Sequence, residues 1–509
     1  MKRTLLALIL ISCLDSLAQS SGAGDFKFAT DIGKSKLKGS TTFDSNDQVY
    51  TLKGAGYNIW FNRDEFQYAY NKLKGDFMVT ADVKLMGDGK DPHRKIGWMI
   101  RESEQEDAAH ITATVHGDGL TVLQWRRLRG AYMRDPQDEV FYKKKKVRII
   151  QLQRVGKLVI MRAAGVGEPL QEVGRIELPD MPDEVLAGLF ICSHNADVLE
   201  EGQAWNVRIE KPVPDDYNGY RDGILGSKLE LMTIADGKRK VIHTDSGRLE
   251  APNWMPDGKS ILFNQGGSLF TVPVGGGTPT KINTGIANRN NNDHVISFDG
   301  KMLGISHQRQ GLPGGGSTVY VLPLAGGEPT LVTDSTPSYL HGWTPNGKEV
   351  LYTAQRISKS PAYNIYKKPI NGGPEVQLTF NAEGLADGPE FSPDGKFIYY
   401  NSTQSGTMQV WRMKPDGSGN EQLTFDEYNN WFPHISPDGK WMVILSFPTT
   451  VNPADHPFYK HVQLRLMPVN GGALKVIAYL FGGQGTINTP SWSPDSKSIA
   501  FISNSGAFK

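Results

Sequence analysis

Ser392-Pro393-Asp394-Gly395-Lys396-Phe397-Ile398-Tyr399-Tyr400 reads as a tight turn running into a strand, and the chain repeats this unit along its second half. The copies are Met255-Pro256-Asp257-Gly258, Ser297-Phe298-Asp299-Gly300, Thr344-Pro345-Asn346-Gly347, Ser436-Pro437-Asp438-Gly439 and Ser493-Pro494-Asp495-Ser496. Proline presets φ at the turn entry, aspartate bonds back to the backbone, and glycine takes the positive φ, so these aspartates are structural despite resembling a carboxylate series. A period of about 40 to 50 residues is that of propeller blades. Six units therefore imply six blades.

Two more strands follow in each repeat around a glycine-rich turn, as at Gly275-Gly276-Gly277, Gly326-Gly327, Gly372-Gly373 and Gly471-Gly472. The last repeat offers only two strands, ending at Ile499-Ala500-Phe501-Ile502. Residues 228–245 carry the complementary pattern, two strands around Asp236-Gly237 with no inner pair before them. The expectation is that 228–245 pairs with the C-terminal strands and closes a propeller spanning 228–509, leaving no free sheet edge.

Units of this form, with endings such as Gln377-Leu378-Thr379-Phe380 and Gln422-Leu423-Thr424-Phe425, resemble the WD40-like repeats of TolB-like propellers. The resemblance covers about half of the chain and implies a six-bladed β-propeller. It does not choose a function, because such propellers serve as envelope scaffolds, as gating domains of prolyl oligopeptidases and as oligogalacturonate lyases. The peptidase option is disfavoured, since no hydrolase domain is expected after Lys509 and no suitable Gly-x-Ser-x-Gly elbow is evident.

Residues 25–214 have a different texture. Phe77-Met78-Val79-Thr80-Ala81-Asp82-Val83-Lys84-Leu85 alternates apolar and mostly polar residues, the pattern of a strand covering one side of a core. Together with the run 110–116, Gly188-Leu189-Phe190-Ile191-Cys192-Ser193-His194 and Ala204-Trp205-Asn206-Val207-Arg208, it resembles a concanavalin A-like jelly roll. The fold class is thus all-β, an N-terminal sandwich and a C-terminal propeller joined by a linker over 215–227 that opens with Asp215-Asp216 after Lys211-Pro212-Val213-Pro214.

Composition narrows the partners. Lys plus Arg (55) nearly balance Asp plus Glu (54), which removes the electrostatic footprint of a nucleic-acid binder. The run Lys143-Lys144-Lys145-Lys146 leads directly into Val147, Ile149 and Ile150 and reads as the solvated start of a strand. Residues 1–18 read as an export signal, with Lys2 and Arg3 before an apolar stretch over 5–14 and a small-residue site at Ser16-Leu17-Ala18. A competing parse takes Leu10-Ile11-Ser12-Cys13 as a lipobox that would leave a lipid on Cys13. The export signal makes the periplasm or the cell surface the expected location, and no second stretch is long and apolar enough to cross a bilayer. After cleavage at Ala18 Cys192 is the remaining cysteine, expected as a buried thiol.

Candidate functional residues fall in two places. In the sandwich, His110, Thr112, Thr114 and His116 share one strand face by the period of two, with Trp60, Trp98 and Trp125 as candidate stacking platforms. In the propeller, the position three residues before each turn unit is Pro252, His294, His341, Pro389, Pro433 and Pro490, so two blades carry histidine where four carry proline. Nearby stand Arg289, Asp293, His307, Gln308, Arg309, Arg356, Tyr363, Trp431, His434 and the 452–461 insertion with His456, Phe458, Tyr459 and His461, all expected on one face. Imidazoles beside Asp293 or Gln308 are donors suited to a divalent metal, with His294 and His341 the candidate ligands, and arginine forks suit carboxylates. The resemblance to oligogalacturonate lyases implies a histidine-rich metal centre at the channel mouth, although their full ligand pattern is not recognisable. Three functions stay open: an exported protein binding a polysaccharide or oligosaccharide, a carbohydrate-active lyase or hydrolase, and a scaffold for an envelope protein. Of these, binding is the preferred expectation, because no compelling acid/base pair stands out in the sequence.

Overall fold

A computed structural model of the chain describes residues 20–356 and 360–505; the leader and Cys13 lie outside them. The described residues fold as an all-β protein with a two-sheet sandwich followed by a six-bladed propeller. One sandwich sheet has eight strands and contains Phe66–Lys74, Glu184–Cys192, Lys95–Arg101, His110–His116 and Thr121–Arg126 as neighbours. The other has seven, with Phe77–Leu85 between Ile149–Val155 and Asn195–Glu210. Phe77, Val79, Ala81 and Val83 point into the shared core against Trp98, Ile111 and Leu123, as strand alternation requires. Among the described residues Cys192 is the free thiol, buried on the opposite face of the eight-stranded sheet, where burial pushes it up to about 11.

Five blades are four-stranded antiparallel sheets. In the sixth, Gly226–Thr233 pairs antiparallel with Ser498–Ser505 through eight residue pairs, and Arg239–Asp245 adds its outer strand. Its inner strand is reduced to a bridge between Trp492 and Ile499. The turn units behave as hydrogen-bonding geometry demands. Oδ1 of Asp257, Asp299, Asp394, Asp438 and Asp495 accepts the N–H of the lysine two residues on, and Asn346 does the same for Lys348. No helix among the described residues is long and apolar enough to cross a membrane.

The two units are held by a buried charge cluster where the last sandwich strand meets the sixth blade. Glu230 is fully buried and bonds to Arg239 at 2.7 and 3.0 Å, to Arg208 of the sandwich and to Ser503 of the closing strand. Burial alone would raise this carboxyl, yet the two guanidinium groups hold it well below the usual range. Around it Gln48 exchanges two 3.0 Å bonds with the backbone of Val241, and Asn206 Oδ1 accepts from Arg239 N–H at 2.7 Å. Removing Glu230 by substitution to alanine strands two buried cations. The expected loss is about 3–5 kcal/mol of stability, read as a lowered urea midpoint; a loss below about 1 kcal/mol would show that the arginines find other acceptors.

Candidate functional site

At one end of the propeller channel lies a cavity of about 1020 Å³ lined from all six blades. Its shape starts with the innermost strands. In five blades this strand slips register just before the turn unit, between Glu250 and Asn253, Asn290 and His294, Leu340 and Gly342, Asp387 and Glu390, and Trp431 and His434. Such bulges bend a strand and re-aim its side chains. Ala251 and Phe432 sit there at φ of 55° and 52°, with Pro252 and Pro433 next in line where a ladder N–H is not needed. The proline and histidine column of the repeats thus coincides with a backbone irregularity.

The side chains brought together are Glu250 of the first blade, Asp293 of the second, Tyr339 and His341 of the third, Asp387 of the fourth, and Asn488 of the sixth, with His456 from the insertion in the fifth. His341 Nε2 lies 3.0 Å from Asp387 Oδ1 and both are buried. Burial opposes the charge on each partner, but the pairing prevails: Asp387 is held at about 2 and the imidazole is raised above its ordinary value, Asp293 adding to the effect. Burial pushes the carboxyl of Glu250 up to about 7 and that of Asp293 up to about 6, with Arg248 opposing the first and His341 the second. Side-chain amides (Asn291, Asn292, Gln308, Gln484) and the rings of Tyr339, Tyr363 and Phe458 complete the wall.

Of the residues singled out in the sequence, Arg289, Asp293, Gln308 and His341 line this cavity, as do Tyr363, His456 and Phe458. Others serve the scaffold. His294 is wholly buried and pushed down to about 3 by that burial. His434 is gripped between Glu390 Oε2 at 2.6 Å and the carbonyl of Ile487. His307 Nδ1 accepts from the Arg289 N–H at 3.3 Å, and Arg309 lies outside the lining. Arg356 is spent on Glu375, Ser338 and the Pro337 carbonyl. Trp431 is buried beneath His456 with ring centroids 4.4 Å apart, and the Tyr459 hydroxyl accepts from Leu225 N–H at 3.1 Å. Among the described residues no three His, Cys, Asp or Glu side chains are grouped to hold a metal ion.

In the sandwich, His110, Thr112, Thr114 and His116 do share a face, but all four are buried. His110 lies 3.8 Å from Asp64, a carboxylate gripped by Arg126 at 2.6 Å and Arg101 at 3.4 Å. Trp98 and Trp125 are core residues, whereas Trp60 is half-buried.

Glu250, Tyr339, Asp387 and Asn488 escaped the sequence reading, though a signal existed. They stand at one offset, five residues before the first residue of their turn unit, where Asn292 and Trp431 occupy the remaining two blades. Their chemistry yields a pH prediction. Folded, Glu250 keeps its proton to about pH 7, whereas the unfolded chain releases it near the ordinary 4.5, so rising pH favours unfolding across that window. Wild type should lose up to about 3 kcal/mol more stability than Glu250→Gln between those two pH values, measured by urea denaturation. Equal losses would mean that Glu250 is ionised in the folded protein.

Comparison with known proteins agrees with this architecture. A family model described as the TolB beta propeller domain matches residues 343–452. An uncharacterised protein of Agrobacterium fabrum is 42% identical over 281 residues, which is 55% of this chain and 93% of that protein. A solved structure from Agrobacterium tumefaciens, provisionally assigned as TolB, is 42% identical, covers 56% of this chain and all of its own, and superposes with a TM-score of 0.52. The Tol-Pal system protein TolB of Francisella tularensis is 23% identical over 297 residues, 56% of this chain and 60% of its own length. A match at this identity over 93% and all of the two relatives, on six repeats closed into a ring, places the chain in the TolB-like β-propeller family, here with an N-terminal β-sandwich ahead of the propeller.

Proposed function

We propose that this is an exported binding protein that takes a glycan into the channel mouth of its propeller. The observation that carries this reading is the lining of the 1020 Å³ cavity, which combines the amides of Asn291, Gln308 and Asn488 with the rings of Tyr339, Tyr363 and Phe458. Amides exchange hydrogen bonds with hydroxyl groups in both directions, and rings cover the apolar faces of a sugar. The cavity is at the upper end of the size range for small-molecule sites, which suits an oligosaccharide better than a single ring. Export to the periplasm or cell surface is supported by the leader-like residues 1–18 and by the likeness to TolB.

A second reading, a carbohydrate-active enzyme, is favoured by one feature: two carboxyls in the cavity, Glu250 and Asp293, hold protons close to neutral pH beside the His341 and Asp387 ion pair. A screen of the mature protein against immobilised glycans, followed by titration calorimetry, separates the readings. Binding without turnover of the captured oligosaccharide is the expected result, and Tyr363→Ala should weaken it by about tenfold, the effect of losing one stacking ring. Cleavage of the captured glycan that stops in Glu250→Gln would replace binding by catalysis. A screen with no glycan hit, together with a protein recovered by cross-linking, would point to an envelope scaffold instead.

A further inference from the structure

The small hairpin of Ile59–Trp60 and Arg63–Asp64 in the sandwich breaks a backbone rule at its tip. Its register, Ile59 with Asp64 and Trp60 with Arg63, leaves Phe61 and Asn62 as a two-residue loop. Such loops take positive φ at their first position, where glycine, asparagine or aspartate is the favoured residue. Here that position holds Phe61, at φ of 44°, and the asparagine comes one place later. A bulky side chain crowds its own backbone in the left-handed region, and it stays there only where the surroundings enforce it. They do so through a buried ion pair. The Phe61 carbonyl accepts from Met133 N–H at 3.1 Å and from Arg126 Nη2 at 3.4 Å, the Trp60 carbonyl accepts from the same Nη2 at 3.0 Å, and Arg126 is held by the buried Asp64 at 2.6 Å.

The strained turn displays an aromatic ring. Phe61 is 42% exposed and Tyr57 46%, with ring centroids 6.4 Å apart and planes within 24° of parallel, and Tyr132, next to Met133, is 64% exposed. The Arg63 guanidinium lies 5.6 Å from the Tyr57 centroid. None of these residues lines the channel mouth. The neighbouring arginines are all paired: Arg63 with Glu65 at 3.7 Å, Arg127 and Arg134 with Asp138 at 3.0 and 2.8 Å, and Arg129 with Asp107 at 3.0 Å. The patch therefore offers aromatic faces without a free charge, which disfavours an anionic lipid surface or a nucleic acid. Three rings at this exposure present on the order of 300 Å². A stable protein interface takes about 800 Å² per partner. A sugar matches both limits. A pyranose with equatorial substituents turns flat faces of C–H groups toward an aromatic ring and keeps its hydroxyls in water, and β-linked glucosyl units have that shape.

We propose that Tyr57, Phe61 and Tyr132 form a saccharide platform on the sandwich, separate from the channel mouth, on which neutral β-linked glucosyl units stack. Because Arg126 and Asp64 fix the hairpin, the rings are ordered before the ligand arrives, which lowers the entropic cost of binding.

The probe is cellohexaose, titrated calorimetrically into the full mature chain, with maltohexaose, whose α-linkages break the flat ribbon, as comparator. Saturable cellohexaose binding is expected, with maltohexaose weaker by about tenfold. Phe61→Gly removes the ring and relieves the backbone, so it should weaken cellohexaose by about tenfold and raise the urea midpoint, whereas loss of a packing residue would lower that midpoint. Tyr132→Ala, at an exposed position, should weaken binding by a smaller factor, and Phe425→Ala, an exposed ring on the propeller, should leave it unchanged. No saturation by about 10 mM cellohexaose, or a lowered midpoint in Phe61→Gly, would overturn the proposal. Affinity that falls in Tyr363→Ala but not in Phe61→Gly would confine the ligand to the channel mouth and overturn it too. So would binding to phosphatidylcholine vesicles, or self-association in sedimentation, that Phe61→Gly abolishes, since the rings would then belong to a lipid surface or a second copy.

Discussion

The pairing of Gly226–Thr233 with Ser498–Ser505 is the constraint on which the rest of the molecule depends. A propeller left open would expose two long sheet edges, each a row of unpaired backbone groups. Closing the ring with a strand from the start of the propeller instead makes the sixth blade from both ends of the domain. It also determines where the sandwich must sit, because the strand Asn195–Glu210 reaches the ring through only a short linker. The charge cluster of Arg208, Arg239, Glu230 and Ser503 joins a sandwich strand, the two strands before the first blade and the closing strand at one buried point.

From that closure follows the channel mouth. Each blade delivers its innermost strand to the axis, and the bulges turn a few side chains from the strand face toward the opening. The result concentrates groups that are far apart in the chain: Glu250, Asp293, His341 and Asp387 come from four successive blades. Taking them out of water separates their behaviour. His341 and Asp387 stay charged because they have each other, whereas at Glu250 and Asp293 the cost of burial outweighs the nearby Arg248 and His341, and both resist ionisation. The linker also contributes to this region, since Tyr217 packs edge-on against Tyr459 and Tyr220 against Phe458 beside the mouth.

Legibility in the sequence divided along physical lines. The turn units were readable because proline, aspartate and glycine act within four residues, and their hydrogen bonds are those the local geometry requires. The alternation of Phe77–Leu85 was readable for the same reason. Alternation identified a shared face for His110 and His116 but not its cover: folding buries that face, with the Asp64 ion cluster beside His110. Histidine was a partial guide in the propeller: His341 and His456 line the cavity, His294 and His434 are absorbed by packing and by Glu390, and the unremarked Glu250 and Asp387 face the cavity.

By itself, then, the sequence determined the all-β class, the turns and the number of repeats, because strand alternation and the turn units act between residues close in the chain. Tertiary structure alone decided which polar side chains meet, which are neutralised by a distant partner and which are left without one. Glu250 and Asp387 are separated by three blades in the chain, yet folding brings them to a common cavity. Long-range burial and charge compensation are properties of the assembled sheets, and no local pattern of residues encodes them.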